Sequence, residues 1–171
     1  MQSKTTLMQV FVPTQAGKFL ARYSARGLAK LDFPESAAVA SVGLANAASV
    51  SSDQIRAWHR LTTTAVKRVL AGRDAGELPP LDLSAGTEFQ RAVWRAMRRI
   101  GTGQSRSYGD LARAIGRPKA VRAVGGACGA NPIPLLVPCH RVLAAGGKIG
   151  GFSGGLEWKR KLLAREGVIA G

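Results

Sequence analysis

The sequence has little of several residues that build specialised sites. Among 171 residues there are two cysteines, two histidines and 10 acids against 25 lysines and arginines, and aromatics make up 6%. Two cysteines supply no disulfide framework of the kind small exported domains rely on. No apolar run approaches the roughly 20 residues that span a bilayer, and nothing at the N-terminus joins a basic flank to a long apolar stretch and a cleavage site. These absences point to a protein of the reducing cytoplasm with no membrane partner. Hydrophobic residues are 46% and charged residues 20% of the chain, which excludes the weakly hydrophobic, highly charged class of disordered proteins. The length suits one sizeable core or two small domains.

What the chain does have is positive charge, unevenly spread. Residues 1–85 carry 10 Lys and Arg against 6 Asp and Glu, whereas residues 86–171 carry 15 against 4. A net charge of +15 favours a polyanionic partner, because neutralising phosphates releases counterions. An evenly spread charge would read as a solvated surface; this one is concentrated in the half that also holds Cys139.

In the first half, Leu7–Pro13, Lys18–Tyr23 and Gly27–Phe33 read as strands of an antiparallel meander, the first two joined through a turn at Gly17. Ala37–Val50 has no pattern that separates strand, short helix and loop. Ser52-Asp53 then offers an N-cap to a helix whose residues Ile55, Trp58, His59, Leu61, Thr62, Val66, Val69 and Leu70 fall near helical spacing and cover the sheet. His59 lacks a Cys or acidic cluster at metal-ligand spacing and is read as a packed or surface residue. Leu78–Leu83 is extended and proline-bearing, as a linker would be. The expected division is an N-terminal domain at 1–78, a linker at 79–85 and a C-terminal domain at 86–171.

The second half opens with Thr87 as N-cap and Gln90 as its capping-box partner. Phe89, Val93, Trp94, Met97 and Ile100 form the apolar face of that helix, and Arg91, Arg95, Arg98 and Arg99 a basic one. A short helix over Ser107–Gly116, a turn at Arg117-Pro118 and a second helix from about Lys119 towards Cys128 have the layout of a helix-turn-helix. Gly125, Gly126 and Gly129 make the second helix slender. Asn131-Pro132 leads into Ile133–Val137, an apolar run followed by Pro138-Cys139-His140-Arg141-Val142, which sets a nucleophile beside a base. A free cysteine is more often a packed small hydrophobe, and the tripeptide alone leaves both readings open. The glycine-rich loop Gly150–Gly155 lacks the ending of a P-loop. In the final helix, Leu156–Glu166, the leucines are apolar, Lys159, Arg160, Lys161 and Arg165 are basic, and Glu166 sits against the helix dipole, so it should have a specific partner.

Pro138-Cys139-His140-Arg141-Val142, together with Arg122-Ala123-Val124-Gly125-Gly126, Asn131-Pro132, Phe152-Ser153-Gly154-Gly155 and Glu166-Gly167, resembles the O6-alkylguanine-DNA alkyltransferases over about Gly86–Gly167. The resemblance implies direct-reversal DNA repair: an alkyl group leaves O6 of guanine, or O4 of thymine, for Cys139, once and irreversibly, after the nucleotide is flipped out of the duplex. His140 would be the base, acting through a water, with Glu166 orienting it. Adjacent side chains of an extended segment point apart, which suits that water. Asn131 would brace the turn and Tyr108 would assist at the target phosphate and base. Ser107, Lys119, Arg122, Ala123, Gly125, Ala127 and Arg141 would lie along DNA, with Arg122 as the finger filling the stack and the second helix in the minor groove. Val142, Phe152, Ser153 and Gly154 would form the base pocket.

The implied fold is α/β (α+β) in two domains: an antiparallel sheet with a covering helix, ribonuclease-H-like by resemblance, and a mostly helical domain with the helix-turn-helix. No cofactor and no metal are expected, and the partner is double-stranded DNA, bound by a monomer with cooperativity left open. Phe152 stands where Tyr is often found and Arg165 where many relatives have His. Cys128 is read as a packing residue. Cys139 itself argues against a non-reactive damage-flagging relative. A cysteine hydrolase would leave the basic half unexplained, and Cys128, Cys139 and His140 lack metal-site spacing.

Overall fold

The computed structural model describes residues 7–41 and 52–169. Strands β1 (Met8–Thr14), β2 (Gly17–Ser24) and β3 (Gly27–Asp32) form an antiparallel sheet in the order β1-β2-β3, with Val12 opposite Phe19 and Leu20 opposite Asp32. The first turn closes because the Thr14 hydroxyl donates to Gly17 O at 2.7 Å and accepts from Ala16 N. Gly17 there takes φ +113°, where a Cβ is disfavoured. The stretch left open in the sequence forms a short helix, α1 (Ala37–Ser41), and the rest of it lies outside the described residues.

Helix α2 (Asp53–Leu70) starts where expected, with the Ser52 hydroxyl accepting from Ile55 N. It buries Thr62, Ala65, Val66, Val69 and Leu70 over the sheet. His59 is a packed residue: its Nδ1 lies 3.0 Å from the Tyr23 hydroxyl, which also donates to Thr62 Oγ1, and burial lowers its pKa. The proline-bearing segment is anchored to the sheet. Leu28 N donates to Pro80 O and Asp82 N to Leu28 O, both at 2.8 Å, so it runs parallel to β3.

Helix α3 (Glu88–Met97) carries the full Thr87–Gln90 capping box and buries Val93, Trp94 and Met97. Gly86 leaves room for the Trp94 ring, which a Cβ there would meet at 2.3 Å. The indole donates to Ala127 O at 2.8 Å, tying α3 to α5. Helix α4 (Tyr108–Ala114) is capped by Ser107 and Asp110 and gives way to Gly116 at φ +72°. Helix α5 (Val121–Gly129) begins later than expected, because Lys119 lies in the turn before it and Ala120 is the N-cap. Two strands too short to show a sequence pattern, β4 (Arg106–Ser107) and β5 (Val142–Leu143), pair in parallel and join the start of α4 to the residues after the Cys-His-Arg turn.

Helix α6 (Leu156–Arg165) closes the chain, burying Leu162 and Leu163. One hydrophobic cluster runs through both halves. Phe33 of the first half packs against Phe152 and Trp158 of the second, at centroid distances of 5.7 and 5.2 Å, and Leu31 N donates to Pro132 O. Among the described residues no helix is long and apolar enough to cross a membrane.

Candidate active site

Residues 133–143 are buried throughout. Asn131 holds the turn that this run makes: its Oδ1 accepts from Ile133 N at 3.0 Å and its Nδ2 donates to Val137 O at 2.7 Å. Between them Leu135, 1% exposed, takes φ +71°, the one non-glycine residue in that region among the described residues. Cys139–Arg141 is a 3-10 turn, not the extended segment expected. Adjacent side chains still diverge, now by about 120° because the turn has about three residues per revolution. Cys139 and His140 therefore leave the backbone in different directions.

His140 is fully buried and its Nε2 lies 2.9 Å from Glu166 Oε1. Arg141 binds the same carboxylate through Nε to Oε2 and Nη2 to Oε1, both at 2.9 Å, and also reaches Ile100 O and the Thr102 hydroxyl. Glu166, on the C-cap of α6, thus has the partner its position demanded. Burial alone would raise its pKa, but the hydrogen bonds and charges of His140 and Arg141 outweigh that and hold it at about 2. An ionised carboxylate only accepts, so Nε2 of His140 carries the proton. Burial lowers the pKa of His140 despite Glu166. The ring is then neutral with a lone pair on Nδ1, an atom that is buried and has no protein partner among the described residues.

Cys139 is 5% exposed, and burial pushes its thiol up to about 11, against the Asn131 hydrogen bond and the Lys159 charge. With that pKa only about one molecule in ten thousand holds a thiolate at neutral pH, so attack by sulfur needs a base acting in the same step. The sulfur borders a cavity of about 180 Å³ lined also by Tyr108, Gly125, Cys128, Gly129, Gly151, Phe152 and Ser153. The arrangement sets a buried thiol at the edge of a small compartment, next in sequence to a neutral imidazole whose Nδ1 lone pair is open.

Several expected residues sit elsewhere. Arg141, expected along DNA, is buried and its guanidinium is committed to Glu166, Ile100 and Thr102. Ala127 is also buried, facing α3. The Ser107 hydroxyl is taken up in capping α4. Lys119, Arg122 and Ala123 are exposed together at the start of α5, and Gly125 reaches the pocket wall. Phe152 and Ser153 line the pocket; Val142 lies behind it, and Gly154 lines an adjoining cleft against Phe33.

Lys159, read as part of a basic face, is 0% exposed. Its Nζ donates to Val142 O at 2.6 Å and Gly151 O at 3.0 Å, tying the pocket loop to β5. Its place on one helical face with Leu162 and Glu166 was the signal available. Cys128 lines the pocket as well as packing. No group of three or more His, Cys, Asp or Glu that could hold a metal occurs among the described residues.

Residues 88–168 match the family model of the 6-O-methylguanine DNA methyltransferase DNA-binding domain. A methylated-DNA–protein-cysteine methyltransferase of Mycolicibacterium paratuberculosis is 55% identical over 95 residues, which are 54% of this chain and 58% of that protein. One from Methanosarcina acetivorans is 50% identical over 103 residues, 58% of this chain and 66% of that protein. The matched segment is therefore under two thirds of either relative. Among solved structures, the Mycobacterium tuberculosis O6-methylguanine methyltransferase superposes with a TM-score of 0.72 at 32% identity, covering 94% of this chain and 93% of that one. The Pyrococcus kodakaraensis O6-methylguanine-DNA methyltransferase gives 0.57 at 27% identity, covering 95% and 100%.

Proposed function

This chain belongs to the O6-methylguanine DNA methyltransferase family, and from that membership we propose that it repairs duplex DNA by taking the alkyl group of O6-alkylguanine, and of O4-alkylthymine, onto Cys139 in a single irreversible event. The observation that carries the reading is a buried thiol at a small pocket, next in sequence to a neutral histidine that Glu166 holds with its proton on Nε2. In the step, Cys139 Sγ bonds to the alkyl carbon as the bond from that carbon to O6 breaks. The electron pair goes to O6. The thiol proton passes by way of a water to His140 Nδ1 and ends on the restored guanine. A thioether is a poor leaving group, so the protein stays alkylated.

The target base must leave the helix to reach a sulfur that is 5% exposed. We assign entry to α4 and α5 acting as a helix-turn-helix, with α5 in the minor groove and Arg122 filling the stack. The exposed, side-chain-poor face of α5 supports this, since nothing lies within 4 Å of a Cβ built on Gly125, Gly126 or Gly129. Tyr108 and Ser153 would bind the flipped base, and Asn131 holds the acceptor turn. We further assign residues 1–78 to a ribonuclease-H-like domain, 79–85 to a linker and 86–171 to the DNA-binding and acceptor domain. The protein would act in the cytoplasm as a monomer, without a cofactor.

Incubating the full chain with a methylguanine duplex and mapping peptides by mass spectrometry is the test. One methyl group per molecule, on the Cys139 peptide, is expected. Multiple turnover, or repaired DNA beside unmodified Cys139, would refute the assignment.

A further inference from the structure

Helix α2 ends directly against α6. Gly72 closes it at φ +73°, with Arg73 N donating to Arg68 O at 3.0 Å and Gly72 N to Val69 O at 2.9 Å, the bonding of a glycine-terminated helix. A Cβ on Gly72 would meet Arg165 O at 2.3 Å and Arg165 C at 2.8 Å, so the glycine lets the two backbones touch. The carbonyl of Leu70, the last residue of α2, lies past the reach of any donor within its helix. Arg165 Nη1 supplies one at 2.6 Å. The N-terminal half therefore holds Arg165 by its side chain and by its backbone.

The next residue is Glu166, whose carboxylate binds His140 and Arg141. It is the C-cap of α6, at a place where helices fray unless something holds them. Gly103, from the turn after α3, also meets it: Gly103 N donates to Glu166 Oε2 at 3.5 Å, and a Cβ on Gly103 would lie 3.4 Å from Glu166 O. We propose that the end of α2 belongs to the acceptor machinery, and that Arg165, docked on Leu70 O and Gly72, is a positioning residue that fixes where Glu166 presents its carboxylate to His140. This rests on the alkyl-transfer reading above and extends it to a residue and a helix end that touch neither the thiol nor the base.

The test is single-turnover transfer from an O6-methylguanine duplex to the full chain, with the rate constant at saturating DNA read apart from the Kd for DNA. Arg165→Met keeps the apolar stem and removes the donor. Its rate constant should fall at least about fivefold with Kd unchanged, since misplacing a group by about 1 Å costs about 100-fold. Arg165→Lys, which keeps a donor at the end of the stem, should recover most of the loss. Burial lowers the pKa of His140, Glu166 raises it, and Arg141 and Lys159 lower it. A displaced Glu166 lets that pKa fall, so the acid limb of the rate profile in Arg165→Met should move to lower pH. A role in folding alone would lower Tm and leave the rate constant and the limb in place. Should the methionine variant fail to fold by thermal melting, Arg165→Gln, too short to reach Leu70 O, carries the same expectations. A smaller fall, a loss carried by Kd, an unmoved limb, or a lysine variant no faster than the methionine one would overturn the proposal. A wild type that transfers no methyl overturns the alkyl-transfer reading itself, and this inference falls with it.

Discussion

Replacing Glu166 by Gln removes one charge from a fully buried cluster, and the cost follows from the groups around it. Its side chain is 0% exposed and it accepts from His140 and twice from Arg141. These partners take its pKa from 4.5 to about 2, a depression of about 2.5 units that corresponds to about 3 kcal/mol of folding stability. The folded pKa is the lower one, so this stability is fully present above pH 4.5 and is lost as pH falls towards 2. About 2 kcal/mol of it should be gone by pH 3. Glu166→Gln should therefore unfold about 3 kcal/mol more easily at pH 6, in line with breaking a buried pair, and only about 1 kcal/mol more easily at pH 3. Asp82 and Asp110, whose pKa values are also lowered, act equally in both proteins and drop out of the difference. Urea unfolding at a series of pH values measures it. Parallel stability curves from pH 6 to pH 3 would refute the reasoning.

Gly154→Ala places a Cβ 2.5 Å from the Phe33 ring, which is held in an aromatic cluster and cannot swing aside. A loss of about 1–3 kcal/mol is expected, read as a lower Tm, and relief in the double variant with Phe33→Ala would confirm the contact. Lys159→Met leaves the Val142 and Gly151 carbonyls without their donor, at a cost of about 1–3 kcal/mol in denaturant unfolding.

The Thr87–Gln90 capping box, the meander and the α2 cover were legible because each is written within a few residues of itself, whereas the Ser107–Asp110 box went unread. Thr87 and Gln90, three apart, need no tertiary information to meet. Cys139 and His140 drew notice as neighbours and Glu166 as a carboxylate set against a helix dipole, but only the resemblance joined them, since Cys139 and Glu166 are far apart in sequence and no local pattern links them. Arg141 was misplaced for a related reason: an arginine beside a reactive cysteine in a basic half looks like a phosphate ligand, and only the 3-10 turn reveals that it faces Glu166. Lys159 lies next to the exposed Arg160 and Lys161, and its two acceptors belong to a loop and to a strand of two residues, neither of which shows a periodicity.

Leu135 carries one more meaning. Left-handed backbone at a residue with a Cβ costs roughly 1–2 kcal/mol, and within the segment only the turn bond from Val137 N to Ile133 O, at 2.9 Å, spans it. Leu135 holds the conformation because its side chain is sealed in the core and Asn131 clamps the backbone on either side. The bend that delivers Cys139 to its pocket is thus a product of the finished fold. A synthetic peptide spanning Ile133–Val142 would relax out of it and possess only an ordinary thiol, so the reactivity proposed for Cys139 would belong to the architecture as a whole and could not be excised with the motif.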